Sequence, residues 1–478
     1  MRELIVDLFA GGGGASAGIR AALGRDPDVA INHDLIAIAM HEANHPAAWH
    51  IHQDVWQVPP RWASRKKPVA LLWASPDCTH FSKAKGAAPT RDRMRRDLAW
   101  VVEKWAREVG PRVIILENVE EFKTWGPLDK SGRIIHSEKG STFRSFVNRL
   151  RRLGYRVEWK ELRACDYGAP TIRKRLFLIA RCDGLPIVWP EPTHGPGLQP
   201  YRTAADIIDW SIPCPSIFER KRPLAENTMR RIAEGVRRYV IESADPFIVS
   251  YYGPKTENDF RGLGLDAPLP TQSTANRFGL VAPSLISIAN YNGRNPANSA
   301  AGPLSTITAN PKGGHHALVT SHLLKMRGTC RAGQKVTKPM PTITSGGNHV
   351  GEVRAFLLKY YGTDQDPQLH EPLHTITTKD RFGLVTVNIC GEPYVISDIG
   401  MRMLSPRELF RAQGFDDNYE IDLQVAGRKI TKADQVRLCG NSVCPPVASA
   451  LVKANALWAQ KRWEPANYNV KEQMRLFN

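Results

Sequence analysis

A doubly wound α/β domain is the fold class the sequence predicts, on three observations. Strand-like and helix-like stretches alternate through the first 190 residues, as in a parallel sheet covered on both faces. A glycine run, Gly11-Gly12-Gly13-Gly14, stands between the first apolar stretch and the first helical one, where such folds bring backbone close to a ligand. Helical patterning returns after Ile399, beyond a β-rich middle, so the end of the chain is expected to rejoin the first domain.

The elements follow in order. LIVDLFA reads as a buried strand, and GGGGASAGIRAAL as a glycine loop opening a helix. VAINHD is a second strand and LIAIAMHEANH a second helix. VALLWAS is a further strand. RRDLAWVVEKWAREVG has helical spacing, with Leu98, Val101, Val102 and Trp105 on one side. VIILENV is a strand, STFRSFVNRLRRLG a helix and RLFLIARC a strand. After the proline-marked Trp189-Pro190-Glu191-Pro192, NTMRRIAEGVRRYVIE is expected to form a basic helix with Met229, Ile232, Val236 and Val240 as its apolar stripe.

An internal repeat fills the middle. APLPTQSTANRFGLV (267–281), GPLSTITANPKGGHHALV (302–319), KPMPTITSGGNHVGEV (338–353) and EPLHTITTKDRFGLV (371–385) share a pattern. Each follows an apolar segment: FIVSYYG, LISIANYNG, HLLKMRG and FLLKYYG. The prolines Pro268, Pro303, Pro339 and Pro372 are 35, 36 and 33 residues apart. Each unit, within about 246–385, reads as short strands that stack or pair edge to edge, because one unit alone buries little. Their loops carry Arg277, Arg294, Lys312, Arg331, Lys379 and Arg381 among Asn, Gln and Gly. Such side chains read base edges in a major groove, although a scaffold role would need nothing more than the strands. Past the repeats, Ser405-Pro406-Arg407-Glu408 spells a capping box with proline at the first helical position.

Composition narrows the class. The 478 residues carry 65 Lys and Arg against 47 Asp and Glu, a net charge of +18, which points to an anionic partner such as nucleic acid. No run of eighteen apolar residues suits a transmembrane helix, and the N-terminus does not read as a signal peptide. Eight scattered cysteines without CxxC spacing fit a reducing cytoplasm and neither a disulfide framework nor a zinc site. His33, His41, His45, His50 and His52 invite a metal reading, but no third-ligand pattern accompanies them, so no metal is expected.

Reactive groups fall at strand ends, where α/β sheets place their sites. Cys78 follows VALLWAS, Glu117 follows VIIL, and Arg173 and Arg175 flank the start of RLFLIA. Taken alone, Cys78 reads as a small buried hydrophobe. Together the set suits a thiolate adding to an electron-poor carbon, a carboxyl bonding a ring nitrogen and an arginine holding a carbonyl oxygen. The glycine turn with Asp34 at the end of the second strand suits a nucleotide-like ligand, NAD or S-adenosylmethionine.

These blocks resemble the DNA cytosine-5 methyltransferases of bacterial or phage type. DLFAGGGGASAGI is similar to their cofactor motif, SPDCTHFSKAKG to the nucleophile motif, ENV (117–119) to the carboxylate motif and TIRKR (171–175) to the two-arginine motif. RELFRAQGF and GNSVCPPVASAL resemble the last two blocks, in the family's order. The resemblance covers roughly residues 5–190 and 400–455. It implies a Rossmann-like class I methyltransferase domain with an inserted, mainly β target-recognition domain. The divisions expected are 1–192 for catalysis, 193–395 for recognition and 396–478 for the returning segment. It implies that Cys78 attacks C6 of a flipped cytosine, that Glu117 bonds N3 and the exocyclic amine, and that Arg175 holds O2 with Arg173 in support. Asp7, Phe9, Gly11, Gly13, Asp34, Asp54 and Asn441 would line the S-adenosylmethionine site. Double-stranded DNA is the implied partner of a monomeric cytoplasmic enzyme, with a cognate restriction endonuclease as a second candidate and a phage or prophage origin open.

Two residues depart from the family pattern. Asp77 precedes Cys78 where proline is usual, and Thr171 opens the two-arginine motif where glutamine is usual. A carboxylate beside a thiol raises its pKa, unless strand alternation turns Asp77 to the other face. Two other readings stay open: a tRNA-modifying relative, against which the large basic repeat region argues, and a DNA-binding protein without catalysis.

Overall fold

The structure is a computed structural model. It describes residues 3–76, 97–130 and 133–203, most of 205–224, Ile232, strand segments between 247 and 400, and 401–460. Its first sheet has seven strands: β1 (Leu4–Leu8), β2 (Val29–Asn32), β3 (Trp49–His52), β4 (Val69–Ala74), β5 (Val113–Asn118), β6 (Arg156–Arg163) and β7 (Lys174–Arg181). Their spatial order is β3-β2-β1-β4-β5-β7-β6. The first five are parallel, and β7 runs antiparallel to both β5 and β6. This is the class I methyltransferase arrangement, a doubly wound sheet with one reversed strand.

The apolar runs explain the centre. Every residue of β1, β4 and β5 is buried, as strands covered on both faces require. Alternation sends Leu4, Val6 and Leu8 to one face and Ile5 to the other. On the first face lie helices α4 (Trp100–Glu108) and α5 (Ser141–Arg152), whose Val101, Val102, Trp105, Phe146, Val147 and Leu150 fill the core. On the second lie α1 (Gly14–Leu23) and α8 (Pro445–Ala456), meeting through Ile19, Leu23, Val447, Ala448 and Leu451. Gly18 permits that contact: a Cβ there would stand 2.5 Å from Ala448 Cβ. The C-terminal segment therefore does rejoin the first domain.

Helices α2 (Leu35–Asn44), α3 (Pro60–Ala63), α6 (Pro406–Gln413) and α7 (Lys432–Asn441) complete the layers. Ser405 and Glu408 form the capping box that their spacing predicts, with Pro406 in the first turn. Two strands escape the sequence reading. β6, RVEWKELR, buries only Val157 fully, because it is an edge strand with solvent along one side. HIHQDVW, the stretch that carries Asp54, reads as no element, yet its first three residues close strand β3.

The four apolar repeat segments contribute strands to one second sheet: Phe247–Val249, Ser284–Ser287, His316–Lys325 and Val350–Lys359. His316–Lys325 pairs antiparallel with both Ser284–Ser287 and Val350–Lys359, and parallel with Phe247–Val249. The segments thus pair edge to edge. The strand Glu392–Met403 leaves this sheet toward α6. There Arg402 makes a buried two-pronged ion pair with Glu408 (3.0 and 2.9 Å) and donates to the Asp209 carbonyl, while the Asp209 N–H donates to Glu408. The Ile217 N–H donates to the Ile399 carbonyl. The outgoing and returning chains are therefore clasped together. The helix expected over NTMRRIAEGVRRYVIE lies outside the described residues apart from Ile232, as do the repeat loops apart from Ala275–Asn276 and Gly347–Asn348, which pair in parallel.

Candidate active site

The reversed strand β7 puts the two arginines where chemistry is expected. Because it is antiparallel to β5, its beginning lies beside the end of β5, with Leu176 opposite Asn118 and Phe177 opposite Glu117. Glu117 is 6% exposed. Its Oε1 is 3.2 Å from Arg175 Nε and 4.0 Å from Arg173 Nη2. Arg173, itself buried, also donates from Nη1 to the Gly440 carbonyl at 2.9 Å. Arg175 donates to the Lys174 carbonyl at 2.8 Å. One buried carboxyl is thus held by two guanidinium groups, and one of these is anchored in the returning segment. Thr171 is fully buried, and its hydroxyl accepts from the Arg173 N–H at 3.3 Å. That bond braces the turn into β7 where the family usually has glutamine.

Asn118 joins this edge to β4. Its Nδ2 donates to the Pro76 carbonyl at 3.2 Å, and its Oδ1 accepts from the Val119 N–H. Pro76 is two residues before Cys78. Asp77 and Cys78 themselves lie outside the described residues. Among the described cysteines, burial pushes the thiols of Cys165 and Cys444 up to about 12, raises Cys182, and holds Cys439 well above the ordinary range. None of these four is activated as a nucleophile.

The glycine loop occupies the end of β1. Phe9 has φ +62°, a left-handed conformation that a bulky side chain adopts only under constraint. Gly11 and Gly13 also have positive φ. Gly13 caps α1 without any side-chain hydrogen bond, which leaves the first amides of that helix for a ligand. Behind the loop, a Cβ on Gly13 would stand 2.1 Å from Tyr419 Oη, and one on Gly14 2.1 Å from the Val443 carbonyl. The loop is pressed between the sheet and the returning segment, and glycine alone fits.

The remaining candidates sit around that edge. Asp34 caps α2 by accepting from the Ile36 and Ala37 amides, and it pairs with Arg437 of α7 at 2.5 Å. Arginine and amide bonds hold its carboxyl below the ordinary range against the opposing effect of burial. Asp54 follows β3, is exposed, and accepts from the Trp56 N–H. Asn441 is exposed at the end of α7, next to the carbonyl that holds Arg173. Arg277, Arg294, Lys312, Arg331, Lys379 and Arg381 lie outside the described residues. Among the described residues, no group of three or more His, Cys, Asp or Glu could hold a metal ion, and no helix is long and apolar enough to cross a membrane.

Sequence reasoning missed Arg437, Tyr419, Gly440 and Asn118. The first three act from the returning segment, hundreds of residues from their partners. Asn118 was within reach, since it stands inside the ENV motif.

These residues fit an adenosyl ligand with a charged tail: uncapped helix amides, a strained aromatic residue, and carboxyl groups after β2 and β3 meet at one edge. A family model described as C-5 cytosine-specific DNA methylase matches residues 4–199 and 305–456. The chain is 29% identical over 228 residues to the Type II methyltransferase M.AgeI of Thalassovita gelatinovora, covering 42% of this chain and 49% of that one. It is 27% identical over 225 residues to the Type II methyltransferase M.AquIA of a Picosynechococcus strain, covering 44% of this chain and 88% of that one. It therefore spans about half of the first relative and most of the second. The crystal structure of a Spodoptera frugiperda DNMT2 mutant aligns over 95% of this chain and 99% of its own, at TM-score 0.49 and 14% identity.

Proposed function

Because the chain belongs to the C-5 cytosine-specific DNA methylase family, we propose that it methylates C5 of a cytosine within a specific duplex DNA sequence, through a covalent bond between Cys78 and C6. The observation that carries this reading is the Glu117 carboxyl, buried between Arg173 and Arg175 and tied through Asn118 to the strand that leads to Cys78.

The residues divide the work. A cytosine turned out of the duplex presents its Watson–Crick edge. Glu117 bonds N3 and the exocyclic amine, drawing electron density from the ring. Arg175 holds O2, and Arg173 fixes Glu117 from the Gly440 carbonyl. The Cys78 thiolate then forms the S–C6 bond, and the C5–C6 π electrons become available at C5. The methyl group is supplied by S-adenosylmethionine, bound by Phe9, Gly11, Gly13 and the first turn of α1, with Asp7, Asp34, Asp54 and Asn441 around it. Departure of the C5 proton returns an electron pair to the ring, and the S–C6 bond breaks to free the thiolate and the 5-methylcytosine.

Residues 1–192 and 396–478 would form the catalytic domain and 193–395 the recognition domain. The clasp of Arg402, Glu408 and Asp209 supports this division, since chain leaves and returns there. The pairing of the repeat segments in one sheet supports a single recognition unit. Arg277, Arg294, Lys312, Arg331, Lys379 and Arg381 are its candidate base and phosphate contacts. Replacing Arg277 or Arg381 should alter target choice or DNA affinity with cofactor affinity intact; equal loss of both would assign these residues to the fold. A Type II restriction endonuclease of the same specificity would be the natural companion.

The decisive experiment mixes the protein, S-adenosylmethionine and cytosine-rich duplexes carrying 5-fluorocytosine, whose C5 fluorine cannot leave as a proton does. A complex that survives a denaturing gel, and is absent from Cys78→Ser, is the expected result. No complex on a duplex library that contains every short target would overturn the proposal.

A further inference from the structure

The end of the sheet opposite the candidate active site carries a patch that the proposed reaction does not use. β1 to β5 are parallel, so the starts of β3 and β4 lie together at the far edge, a strand's length of roughly 20 Å from the edge where Phe9 and Glu117 stand. Trp49 opens β3, and α3 with the turn after it, PRWASRKK, leads into β4. Trp62 is 55% exposed, and its ring centroid stands 5.0 Å from that of Trp49. The Arg65 guanidinium lies 4.3 Å over the Trp49 ring. Arg61, Arg65, Lys66 and Lys67 are all exposed, and none of them has an acidic partner among the described residues. Arg61 gives only its Nε, to the Glu108 carbonyl at 3.2 Å.

The backbone sets these cations apart from an ordinary solvated run. Arg65 and Lys66 are both left-handed, with φ +50° and +56°, a conformation that costs free energy for any residue with a Cβ. The turn itself requires it: the Arg65 N–H donates to the Trp62 carbonyl and the Lys66 N–H to the Arg61 carbonyl, which closes α3. Glycine or asparagine would make that turn with less strain. The sequence instead places two long cations there, and one of them covers Trp49. Solvation alone gains nothing from that placement.

We propose that Trp62, with Arg61, Arg65, Lys66 and Lys67 around it, binds single-stranded DNA at a second site, separate from the catalytic cleft. Unpaired cations complement phosphates. The Trp62 indole, backed by Trp49, offers a π-face to a base, and stacking on a side chain takes a base that is not already stacked in a duplex. The Arg65 guanidinium adds a planar cation beside it. An anionic membrane would call for several apolar side chains that enter the bilayer, whereas Trp62 is the one exposed large hydrophobic between Pro60 and Pro68. The family acts on DNA, which makes DNA the occupant in preference to RNA. A contact so far from the cleft would hold the enzyme on DNA that carries an unpaired segment near a duplex target, since the second contact becomes intramolecular once the first is made. The site stands whether or not Cys78 is the nucleophile.

Fluorescence anisotropy of a labelled thymidine oligomer of about 16 nucleotides tests the site. The oligomer has no cytosine and so offers no base to methylate. Its binding should persist when a short blunt duplex fills the cleft. Trp62→Ala should weaken it about 5- to 150-fold, the range for one base–aromatic stack, and Trp62→Phe should recover most of the loss. Joint replacement Arg65→Gln, Lys66→Gln and Lys67→Gln should reduce the slope of log affinity against log salt by about 2, the share of three phosphates. That variant decides the matter if Trp62→Ala does not fold. Methyl transfer to a plain duplex should be unchanged in both. The proposal is overturned by an oligomer that does not bind, that the duplex displaces completely, or that both variants bind as the wild type does. Tighter binding of a uridine oligomer would assign the patch to RNA, and capture by phosphatidylglycerol vesicles without oligomer binding would assign it to a membrane; either result overturns it too. Methyl transfer lost together with oligomer binding would show one DNA site rather than two. The binding measurements need no catalysis, so they decide the site even if the proposed reaction fails.

Discussion

The two ends of the sheet's working edge are built from opposite materials. At β5 and β7 a buried carboxyl is held by two permanent cations. At β1 and α1 the loop and its helix are held by hydrogen bonds among a buried carboxyl, a hydroxyl, an imidazole and a phenol. The first arrangement is fixed over all ordinary pH, because arginine does not titrate there. The second depends on proton count. Chemistry on a ring requires charge in a constant place, whereas a ligand grip tolerates adjustment.

The sharpest break of this contrast is Glu117→Gln. It keeps shape and burial but removes the carboxyl that the two arginines hold. Single-turnover methyl transfer should fall about 10²- to 10⁴-fold, the range for loss of a positioned acid–base group, with S-adenosylmethionine affinity unchanged. Equal loss of affinity would show that the two ends of the edge are not separate. Arg173→Met attacks the same end through stability. It strips a buried partner from both Glu117 and the Gly440 carbonyl. Denaturant unfolding should register about 3–5 kcal/mol, the cost of breaking a buried ion pair from one side. Lysine should not rescue it, since an ammonium lacks the planar fork that reaches two acceptors.

The proton-dependent end predicts a slope instead. Asp7 has a folded pKa of about 7, raised from 3.8 by burial. Between those values the unfolded chain has lost a proton that the folded chain keeps, so stability falls as pH rises from about 4 to about 7 and is level above. The total should be on the order of a few kcal/mol. Melting curves of Asp7→Asn should lack this component, and the variant should be the more stable protein at about pH 8. A wild-type profile that parallels the variant would remove the contrast between the two ends.

How much of this was legible in the sequence follows from where each partner lies. β1, β4 and β5 announce themselves as apolar runs because both faces are covered. The capping box is local, and Ser405 and Glu408 form it as their spacing requires. The edge strand β6 was illegible, since charged residues serve an edge as well as a loop. The five histidines were visible but their use was not. His41 and His45 stand one helical turn apart, yet their side-chain partners come from α1, β3, Asp26 before β2 and residue 419. Spacing suggested a shared helix face, and only the packing of distant segments turns that face into a hydrogen-bonded cluster. Glu117, Arg173 and Arg175 were legible as strand-edge residues. That Arg173 is anchored by the Gly440 carbonyl depends on a segment 267 residues away.

The smallest expected effect bears on Asp34, which belongs to neither end cleanly. Its carboxyl is both a helix cap and the partner of Arg437. It is also the group that the β2 position offers to a ribose. Asp34→Ala should destabilise the protein by about 1 kcal/mol through loss of the cap. Asp34→Asn separates the roles, because asparagine caps as well as aspartate but cannot pair with Arg437 as an anion. If the carboxyl serves only α2 and Arg437, the asparagine variant should melt close to the wild type and bind S-adenosylmethionine equally well. If it also receives the ribose hydroxyls, affinity should drop with the melting temperature unchanged. That second outcome would place a fixed charge on the cofactor side as well. The division between the two ends would then be one of support, with charge holding the reacting group and neutral bonds holding the loop, rather than one of ligand contact.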